Sequence, residues 1–432
     1  MFKMSRRIFG GTMVALPFVV AAPQISGQGT GSGRHRVVVS TDIGGTDPDD
    51  FQSMVHLLVS ADALDVEGLI SSPFGPGRIE HIHEVIDQYE RDFPNLRTYS
   101  DLYPTPDALR AISKQGRESG ASYRGFDEPT EGSRWIVQCA RKPDPRPLHV
   151  LVWGGIEDVA QALHDAPDIL PKLRVYFIGG PNKKWSPDAY AYIAASHPNL
   201  WMIECNSSYR GWFVGGDQTG VWDNRTFVTE YVAGCGALGE YFATKLQGVI
   251  KMGDTPSVAW LIGGDPANPA APGWGGQFVR SWDRSPARFD RMTTAADRME
   301  LFGLLELAVP LEGAASANAQ AVLAVDNQEL VGLFDGDQVR FRFCPREEKA
   351  YTFKLRSNVP ALNGMEGGVT VTAVSLAEAG RVTPAWPNWW TDDQNPALGE
   401  GELCGMVTVS RWRRHFLTDF AERMARCAAP KA

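Results

Sequence analysis

The sequence of 432 residues has few of the side chains that bind zinc, with six cysteines and eight histidines. The cysteines are scattered and none forms a Cys-x-x-Cys pair, which argues against a zinc site. His81 and His83 stand two positions apart on a predicted helix, so they point in different directions and cannot hold one ion together. We expect most cysteines to be free thiols in the core, although export would permit a disulfide such as Cys404–Cys427.

Positive charge is also scarce, and two common catalytic signatures are missing. The formal net charge is −9, and an acidic protein repels phosphate backbones, which argues against nucleic acid as a partner. The chain contains no P-loop pattern and no Gly-x-Ser-x-Gly sequence, so nucleotide hydrolysis by a P-loop and a serine-hydrolase mechanism are not indicated. The content of 43% hydrophobic and 22% charged residues is that of a globular protein of about two to three domains.

The N-terminal segment carries the features of an export signal. Residues 4–10 read MSRRIFG, and the apolar stretch GTMVALPFVVAA follows directly. An arginine pair with Ser5 before it and Phe9 after it is typical of a twin-arginine (Tat) signal peptide. The alternative is a chance arginine pair on a core helix, which would not explain the spacing of Ser5 and Phe9 around the pair. The apolar stretch is short for a membrane span. The sequence therefore predicts a Tat signal peptide over 1–28 and a periplasmic or secreted protein, with no membrane association after cleavage.

From 33 to 310 the pattern predicts an α/β domain. The segments RVVVSTDIGG, PLHVLVWGG, LRVYFIGG and LWMIECN are typical of strands buried on both faces, and helical patterns separate them. Alternation of this kind indicates a mainly parallel sheet flanked by helices. Functional sites in such sheets lie at the carboxyl ends of the strands.

The pattern changes near 313. From 313 to 375 short alternating strands are separated by the turns FDGD and LNGMEGG, which predicts a small inserted, immunoglobulin-like β-sandwich domain. A unit of this type either binds glycans or only packs against the main domain, and we favour the structural role because no aromatic platform is evident. The segment 385–432 is then expected to return to the α/β domain.

Four carboxylates cluster where the first strand ends and the first helix begins. Asp42, Asp47, Asp49 and Asp50 lie within STDIGGTDPDD. Carboxylates this close repel one another unless a cation is bound among them, and an oxygen-only ligand set suits Ca²⁺ or Mg²⁺ rather than zinc. The alternative is a solvated acidic turn that caps the helix, but one aspartate would satisfy a cap. The pattern favours a metal site.

This segment resembles the calcium-dependent inosine-uridine nucleoside hydrolases, whose first strand ends in Asp-x-Gly-x-Asp-Asp. Asp42 corresponds to the first aspartate and Asp49–Asp50 to the pair, with Asp47 in an extra turn. The longer form TDIGGTDPDD is similar to an exported bacterial nucleoside-hydrolase-like family, some of whose members are labelled cellulose-binding. VWGGIEDVAQAL, ECN and GDTPSVAWLI resemble further family segments in the expected order, and PGWGGQFV and PNWWTDD also resemble the exported family.

The resemblance implies a set of site residues. A metal site for Ca²⁺ would consist of Asp42, Asp50, Asp254 and the backbone carbonyl of Glu157. Asp42 would act as the general base toward a water molecule. The furanose hydroxyls would be held by Asp49, Glu204 and Asn206, of which Asp49 and Asn206 also belong to the implied catalytic set.

Two positions depart from the family pattern. One main group of nucleoside hydrolases has a histidine, which helps the base to leave, directly before the last metal aspartate, and this chain has Gly253 there. The second strand ends in SSPFGPG, without the asparagine that the family offers to the sugar. The resemblance therefore supports a furanose-binding site more strongly than a site that activates the leaving group.

Tryptophans in Gly/Pro-rich segments offer a second kind of sugar contact. Trp274, Trp389 and Trp390 either stack on sugar rings or fill hydrophobic holes under long loops, and the sequence does not separate these roles. We expect an exported Ca²⁺-dependent hydrolase of N- or O-glycosides, acting on a small-molecule or oligosaccharide glycoside. The alternatives are a non-catalytic carbohydrate-binding protein and a periplasmic nucleoside hydrolase. A homo-oligomer is also possible from the resemblance.

Overall fold

The valine-rich run after His35 forms a central strand of the largest sheet. The computed structural model describes residues 33–72, 75, 77–400 and 403–429, and the predicted signal peptide at 1–28 lies outside the described residues. The strands are β1 (His35–Thr41), β2 (Leu64–Ser71), β3 (Ser113–Gln115), β4 (Leu148–Val152), β5 (Leu173–Ile178), β6 (Trp201–Cys205), β7 (Phe278–Arg280), β8 (Ala287–Phe289), β9 (Arg298–Glu300), β10 (Leu305–Pro310), β11 (Ala321–Val325), β12 (Gln328–Val331), β13 (Leu333–Asp335), β14 (Gln338–Phe343), β15 (Ala350–Ser357), β16 (Glu366–Thr372) and β17 (Trp389–Asp392).

Helices cover the main sheet and connect its parallel strands. They are α1 (Asp49–Val59), α2 (Ile79–Tyr99), α3 (Pro106–Ala111), α4 (Glu131–Arg141), α5 (Glu157–Asp165), α6 (Gly179–Asn182), α7 (Pro187–Ser196), α8 (Asn224–Phe227), α9 (Gly236–Thr244), α10 (Thr255–Ile262), α11 (Leu376–Ala379), α12 (Val407–Ser410) and α13 (Arg413–Ala425). None of the helices in the described part of the chain combines the length and the apolar character that a membrane crossing needs.

The main sheet has eight strands in the order β3-β2-β1-β4-β5-β6-β17-β7. All neighbours pair in parallel except β17 and β7, which are antiparallel. Val37, Val38 and Val39 of β1 are completely buried because packed side chains cover both faces of the sheet. The predicted α/β fold with a mainly parallel sheet flanked by helices is confirmed, and the carboxyl ends of β1, β4, β5 and β6 lie at one edge.

Strands β8 to β16 form two further sheets, with the orders β13-β14-β10-β8 and β12-β11-β15-β16-β9. Leu307 and Phe341 from the first sheet pack in one hydrophobic cluster with Leu323 and Leu355 from the second, so the two sheets form a sandwich. Its strands begin at Ala287, earlier than the position 313 that the sequence suggested. The strands β8 and β9 are only three residues long and carry no clear alternation, and the sequence analysis also missed β10, which does alternate.

After the sandwich the chain returns to the main sheet. Strand β17 lies between β6 and β7, and the C-terminal helix α13 packs its buried side chains Phe416, Leu417, Phe420 and Met424 into the main core. All six cysteines lie in the described part of the chain and are free thiols, so Cys404 and Cys427 are not paired.

Candidate metal centre and active site

Three buried aspartates meet at the carboxyl edge of the main sheet. Asp49 and Asp50 form the first turn of α1, which follows β1, and Asp254 directly precedes α10. One carboxylate oxygen from each of the three lies within 4.8 Å of the other two. The first turn of α1 and the residue before α10 therefore supply a single cluster of oxygen atoms, although they are about 200 positions apart in the chain.

Asp42 lies next to this triad rather than in it. Its carboxyl group shares a hydrogen bond with that of Asp50, and Gly154, just after β4, packs against its backbone and Cβ. A Cβ at Gly154 would lie 2.6 Å from Cβ of Asp42, so only glycine permits this approach. The triad thus includes Asp49, for which the resemblance implies sugar binding, whereas the implied ligand Asp42 stands beside Asp50.

Hydrogen bonds orient two of the three carboxylates, and a serine hydroxyl lies near the third. The Thr41 hydroxyl donates to Oδ1 of Asp50 at 2.5 Å, and the Gly253 amide donates to Oδ2 of Asp49 at 2.9 Å. The Ser53 hydroxyl lies 3.5 Å from Oδ2 of Asp254. Fixed carboxylates facing one another are suited to holding a cation.

The segment that carries Gly253 and Asp254 is held by Gln52 of α1. The Gln52 side chain donates to the carbonyl of Val249 at 2.9 Å and accepts from the amides of Lys251 and Met252 at 2.9 and 3.2 Å. Met252 has a positive φ of 47°, a conformation that is costly for a non-glycine residue and needs such support. Gln52 therefore positions Asp254 opposite the first turn of its own helix.

Burial disfavours the ionised form of the aspartates in this cluster. Burial is the largest cause that raises the pKa values of Asp49, Asp50 and Asp254 well above their ordinary value, and the neighbouring aspartates raise them further. Burial and the charge of Asp49 also raise the pKa of Asp42 to about 7. A bound cation would remove this penalty, so the donor set fits a divalent ion. The alternative of a solvated cap does not fit, because Asp49 and Asp50 are buried and α1 has Pro48 at its N-cap with no side-chain cap.

Lys251 is a site residue that the sequence analysis missed. Its ammonium group forms an ion pair with Asp47 and lies 3.6 Å from Oδ1 of Asp49. Although burial opposes it, the charges of Asp49 and Asp47 raise the pKa of Lys251. One signal was available, because Lys251 stands three positions before Asp254 in the segment that was singled out. Lys251 compensates part of the negative charge at the outer rim of the cluster.

Glu204 is bound to internal partners rather than open to a ligand. Its carboxylate pairs with Lys183 and accepts hydrogen bonds from Arg284 at 2.8 Å and Tyr190 at 2.9 Å. Burial alone would raise the pKa of Glu204, but the charges of Lys183 and Arg284 lower it to about 2. Asn206 also donates to Glu204, at 2.9 Å. The structure therefore places Glu204 in a buried ion cluster.

This ion cluster joins the main domain to the sandwich, at the connection between β9 and β10. Lys183 donates to the carbonyl of Phe302, and Arg284 donates to the carbonyl of Leu301 at 3.1 Å. Arg284 also pairs with Glu300 at 2.8 Å. For Asn206, the side-chain Oδ1 is buried and has no hydrogen-bond partner among the described residues, so it retains an acceptor that a ligand hydroxyl could use.

The side chain of Glu157 faces a separate small pocket at the same sheet edge. Ser72 after β2, Arg117 after β3, Gly155 after β4 and Trp185 after β5 line this pocket with it. Burial raises the pKa of Glu157 to about 7, although a hydrogen bond with Ser186 opposes the shift. The metal contact that the resemblance implies for the Glu157 carbonyl stays a prediction.

The three candidate tryptophans occupy different environments. Trp389 is 1% exposed and stacks on Trp386 with ring centroids 5.2 Å apart, so it fills the core and is not accessible to a sugar. Trp390 is half-buried beside Arg280, and both tryptophans lie in β17 rather than in a loop. Trp274 is half-buried against Gly263. Only Trp274 and Trp390 keep some exposed surface for a ligand.

Comparison with known families identifies the main domain. The family model described as "Cellulose-binding Sde182, nucleoside hydrolase-like domain" matches residues 36–278, more than half of the chain. This range contains all four clustered carboxylates and extends from β1 to the first residue of β7. No curated protein matches the chain.

A solved structure shares this fold at low sequence identity, and two nucleoside hydrolases superpose with lower scores. A nucleoside hydrolase-related protein from Saccharophagus degradans, associated with carbohydrate metabolism, is 20% identical and superposes with a TM-score of 0.50 over 79% of this chain and 100% of that one. A purine-preferring ribonucleoside hydrolase from Gardnerella vaginalis is 12% identical, with a TM-score of 0.41 over 90% and 99% of the two chains. An inosine-uridine preferring nucleoside hydrolase from Bacillus anthracis is 16% identical, with a TM-score of 0.35 over 52% and 81%.

Proposed function

The chain belongs to the cellulose-binding Sde182, nucleoside hydrolase-like family, and we propose that it is an exported, Ca²⁺-dependent glycoside hydrolase. The bond that it cleaves is the N- or O-glycosidic bond of a furanosyl or related sugar. The observation that carries the proposal is the buried triad of Asp49, Asp50 and Asp254 with Asp42 beside it. Three buried carboxylates with a fourth beside them disfavour one another unless a cation is present, and binding a sugar does not by itself require such a cluster.

The donor set is chemically selective. All side-chain donors in the cluster are carboxylate oxygens, which suit Ca²⁺ better than softer metals. Asp49, Asp50 and Asp254 would hold the ion, with Asp42 and the implied carbonyl of Glu157 adjacent to it. When bound, the ion lowers the pKa of water at the site.

The chain's own residues then have separate roles. Asp42 is hydrogen-bonded to Asp50 beside the triad, so it is placed to accept a proton from the attacking water. Carboxylates next to the anomeric carbon stabilise the positive charge that develops in an oxocarbenium-like transition state. The free Oδ1 of Asn206 is an acceptor for a sugar hydroxyl.

Glycoside cleavage is preferred over nucleoside salvage because Gly253 offers no acid for a nucleobase. The second candidate is a non-catalytic carbohydrate-binding protein, and the ion pairing of Glu204 favours it, since one implied sugar contact is already occupied. A bound cation would then be structural only.

The decisive experiment measures metal content and hydrolysis together. Elemental analysis of the wild-type protein should show about one Ca²⁺ per chain, and Asp50→Asn should lose it. Nitrophenyl arabinofuranoside, nitrophenyl ribofuranoside, inosine and uridine are then tested with Ca²⁺ and with a chelator. Calcium-dependent release of nitrophenol that disappears in Asp42→Asn supports the proposal.

Asp101→Asn is the matched control, since this aspartate is 90% exposed at the end of α2 and far in sequence from the cluster. Cleavage of the nucleosides alone would favour the nucleoside hydrolase. Calcium binding without any hydrolysis would favour the carbohydrate-binding protein, and absence of metal would contradict the metal centre.

A further inference from the structure

A cleft of about 490 Å³ separates the main domain from the sandwich. One wall consists of the loop 119–123 and the segment 184–188, which follow β3 and β5 in the main domain. The other wall consists of residues 328–333 in β12 and β13, together with Arg342 of β14. The cleft therefore exists only because the sandwich packs beside the carboxyl edge of the main sheet.

This cleft adjoins the small pocket that holds the Glu157 side chain. Ser119, Gly120 and Trp185 line both the cleft and the small pocket that holds the Glu157 side chain. The two neighbouring glycines after β4 connect that pocket to the acid cluster, since Gly155 packs on the Glu157 carboxylate and Gly154 on Asp42. Adjacent Cα atoms are about 3.8 Å apart, so the contact with Asp42 and the contact with the Glu157 carboxylate lie one residue apart along the backbone.

The lining of the cleft contains two basic and two acidic side chains, namely Lys184, Arg342, Asp188 and Glu329. Arg342 lies 3.1 Å from Oδ1 of Asp188 and 2.9 Å from Oε1 of Glu306. Its guanidinium group also covers the Tyr123 ring, with its central carbon 3.8 Å from the ring centroid. Lys184 similarly lies over the Trp185 ring, 3.9 Å from its centroid. Because basic and acidic side chains are equal in number, the cleft offers polar groups for hydrogen bonding without favouring a charged ligand.

Apolar side chains stand opposite these polar groups. Val331 of β12 is 75% exposed and Leu333 of β13 is 39% exposed, although both are large hydrophobic residues. A wall with paired polar groups on one side and exposed apolar groups on the other suits sugar rings, which have apolar faces and hydroxyl-bearing edges. The volume is within the range of small-molecule sites and accommodates about two or three sugar rings.

We propose that this cleft binds further sugar residues of a neutral oligosaccharide whose scissile bond lies at the acid cluster. The inference rests on the proposed function, because the acid cluster is taken as the place of cleavage. It gives the sandwich a direct part in substrate binding and makes a glycan chain, rather than a nucleoside, the substrate class. A nucleoside would leave the cleft empty.

The test is affinity gel electrophoresis of the full-length protein. The probes are hydroxyethyl cellulose, arabinoxylan, arabinan, galactomannan and mixed-linkage β-glucan. At least one of them should retard the wild-type protein. Val331→Asp places a charge on the apolar wall and Tyr123→Ala removes the ring under Arg342, and each should weaken retardation by that polysaccharide at least fivefold.

Two matched controls show whether the effect is local. Val382→Asp changes a valine that is 56% exposed outside the cleft lining, and Tyr99→Ala changes a tyrosine that is 53% exposed near Arg426. Both should bind as the wild type does. The inference is wrong if none of the five polysaccharides retards the protein, or if the cleft variants bind like the controls.

One more variant separates this inference from the proposed function. Asp50→Asn should abolish hydrolysis but keep retardation, because Asp50 lies outside the cleft. Calcium-dependent hydrolysis of nitrophenyl furanosides without retardation would leave the proposed function standing and overturn the cleft assignment. Retardation through the cleft without any hydrolysis would do the reverse.

Discussion

The amide of Gly253 donates a hydrogen bond to Oδ2 of Asp49 at 2.9 Å, and a side chain at position 253 would overlap that oxygen. Nucleoside hydrolases of one main group have a histidine at the position that corresponds to Gly253. In this chain the orientation of Asp49 depends on the absence of such a side chain. The glycine at position 253 and the orientation of Asp49 are therefore linked features of the site.

Gly253→Ala should displace Asp49 and weaken the cluster. We expect calcium affinity and any hydrolytic activity to fall by about 10- to 100-fold, as for loss of a residue that orients a metal ligand. Calcium titration followed by thermal unfolding measures the change. Gly234→Ala is the control, because a Cβ there would meet no atom within 4 Å and its φ is not positive. Equal calcium affinity in Gly253→Ala and wild type would show that the Asp49 orientation is unimportant.

The metal-free cluster should cost stability as the pH rises. The folded state raises the pKa of Asp42 to about 7 and raises the pKa values of its neighbours. A carboxyl group with a raised folded pKa holds its proton where the unfolded chain releases it, so stability falls between about pH 4 and pH 7. In a chelator, Asp50→Asn should therefore gain stability relative to wild type from pH 5 to pH 7.5.

The quantity to compare is the difference in the free energy of unfolding between Asp50→Asn and wild type, because other groups titrate in the same pH range in both proteins. Burial lowers the pKa of His56 to about 3, which destabilises both proteins equally at low pH. Urea unfolding at each pH gives the free energies of unfolding. A difference that stays constant with pH would contradict the electrostatic account, and added Ca²⁺ should reverse the order at pH 7.5 by stabilising the wild type only.

The buried ion cluster around Glu204 should be essential for folding. Glu204→Gln leaves Lys183 and Arg284 without their shared buried carboxylate, and removing one partner of a buried ion pair costs about 3–5 kcal/mol. The lowered pKa of Glu204, about 2, means that its contribution is complete above pH 4.5 and is lost as the pH falls through about 2.

Chemical unfolding at pH 7 measures this effect. Glu329→Gln is the control, since Glu329 pairs with Arg356 on the exposed face of the sandwich, and such pairs contribute little. If Glu204→Gln is as stable as Glu329→Gln, the ion cluster does not stabilise the packing of the sandwich against the main domain.

Trp389→Ala should act on stability rather than on ligand binding. Trp389 is buried against Trp386, and truncating a core tryptophan to alanine costs about 3–5 kcal/mol. Trp274→Ala removes a half-buried ring and should change ligand affinity more than stability. Thermal unfolding and polysaccharide retardation of both variants check this contrast, and a loss of affinity in folded Trp389→Ala would contradict it.

The sequence determined the parts of this protein that depend on near neighbours in the chain. Buried runs such as Val37–Val39 predict strands, and the spacing of Phe51, Met54, Val55 and Leu58 predicts α1. The position of Asp49 and Asp50 at a strand-to-helix turn was evident for the same reason. Resemblance to a family was needed to connect Asp254 with them, because no local pattern joins residues about 200 positions apart.

Only the tertiary structure decided how distant groups share charge. Glu204 stands near the end of β6, where a ligand contact is expected. Its carboxylate is instead bound by Arg284, 80 positions away in the connection between β7 and β8. Lys251 and Asp47 are also far apart in the chain, and only folding brings them together as an ion pair. Likewise, β17 enters the main sheet between β6 and β7, and so Trp389 is buried. The free energy of a buried charge or ring depends on whatever surrounds it in space, and for these residues the surroundings come from remote parts of the chain.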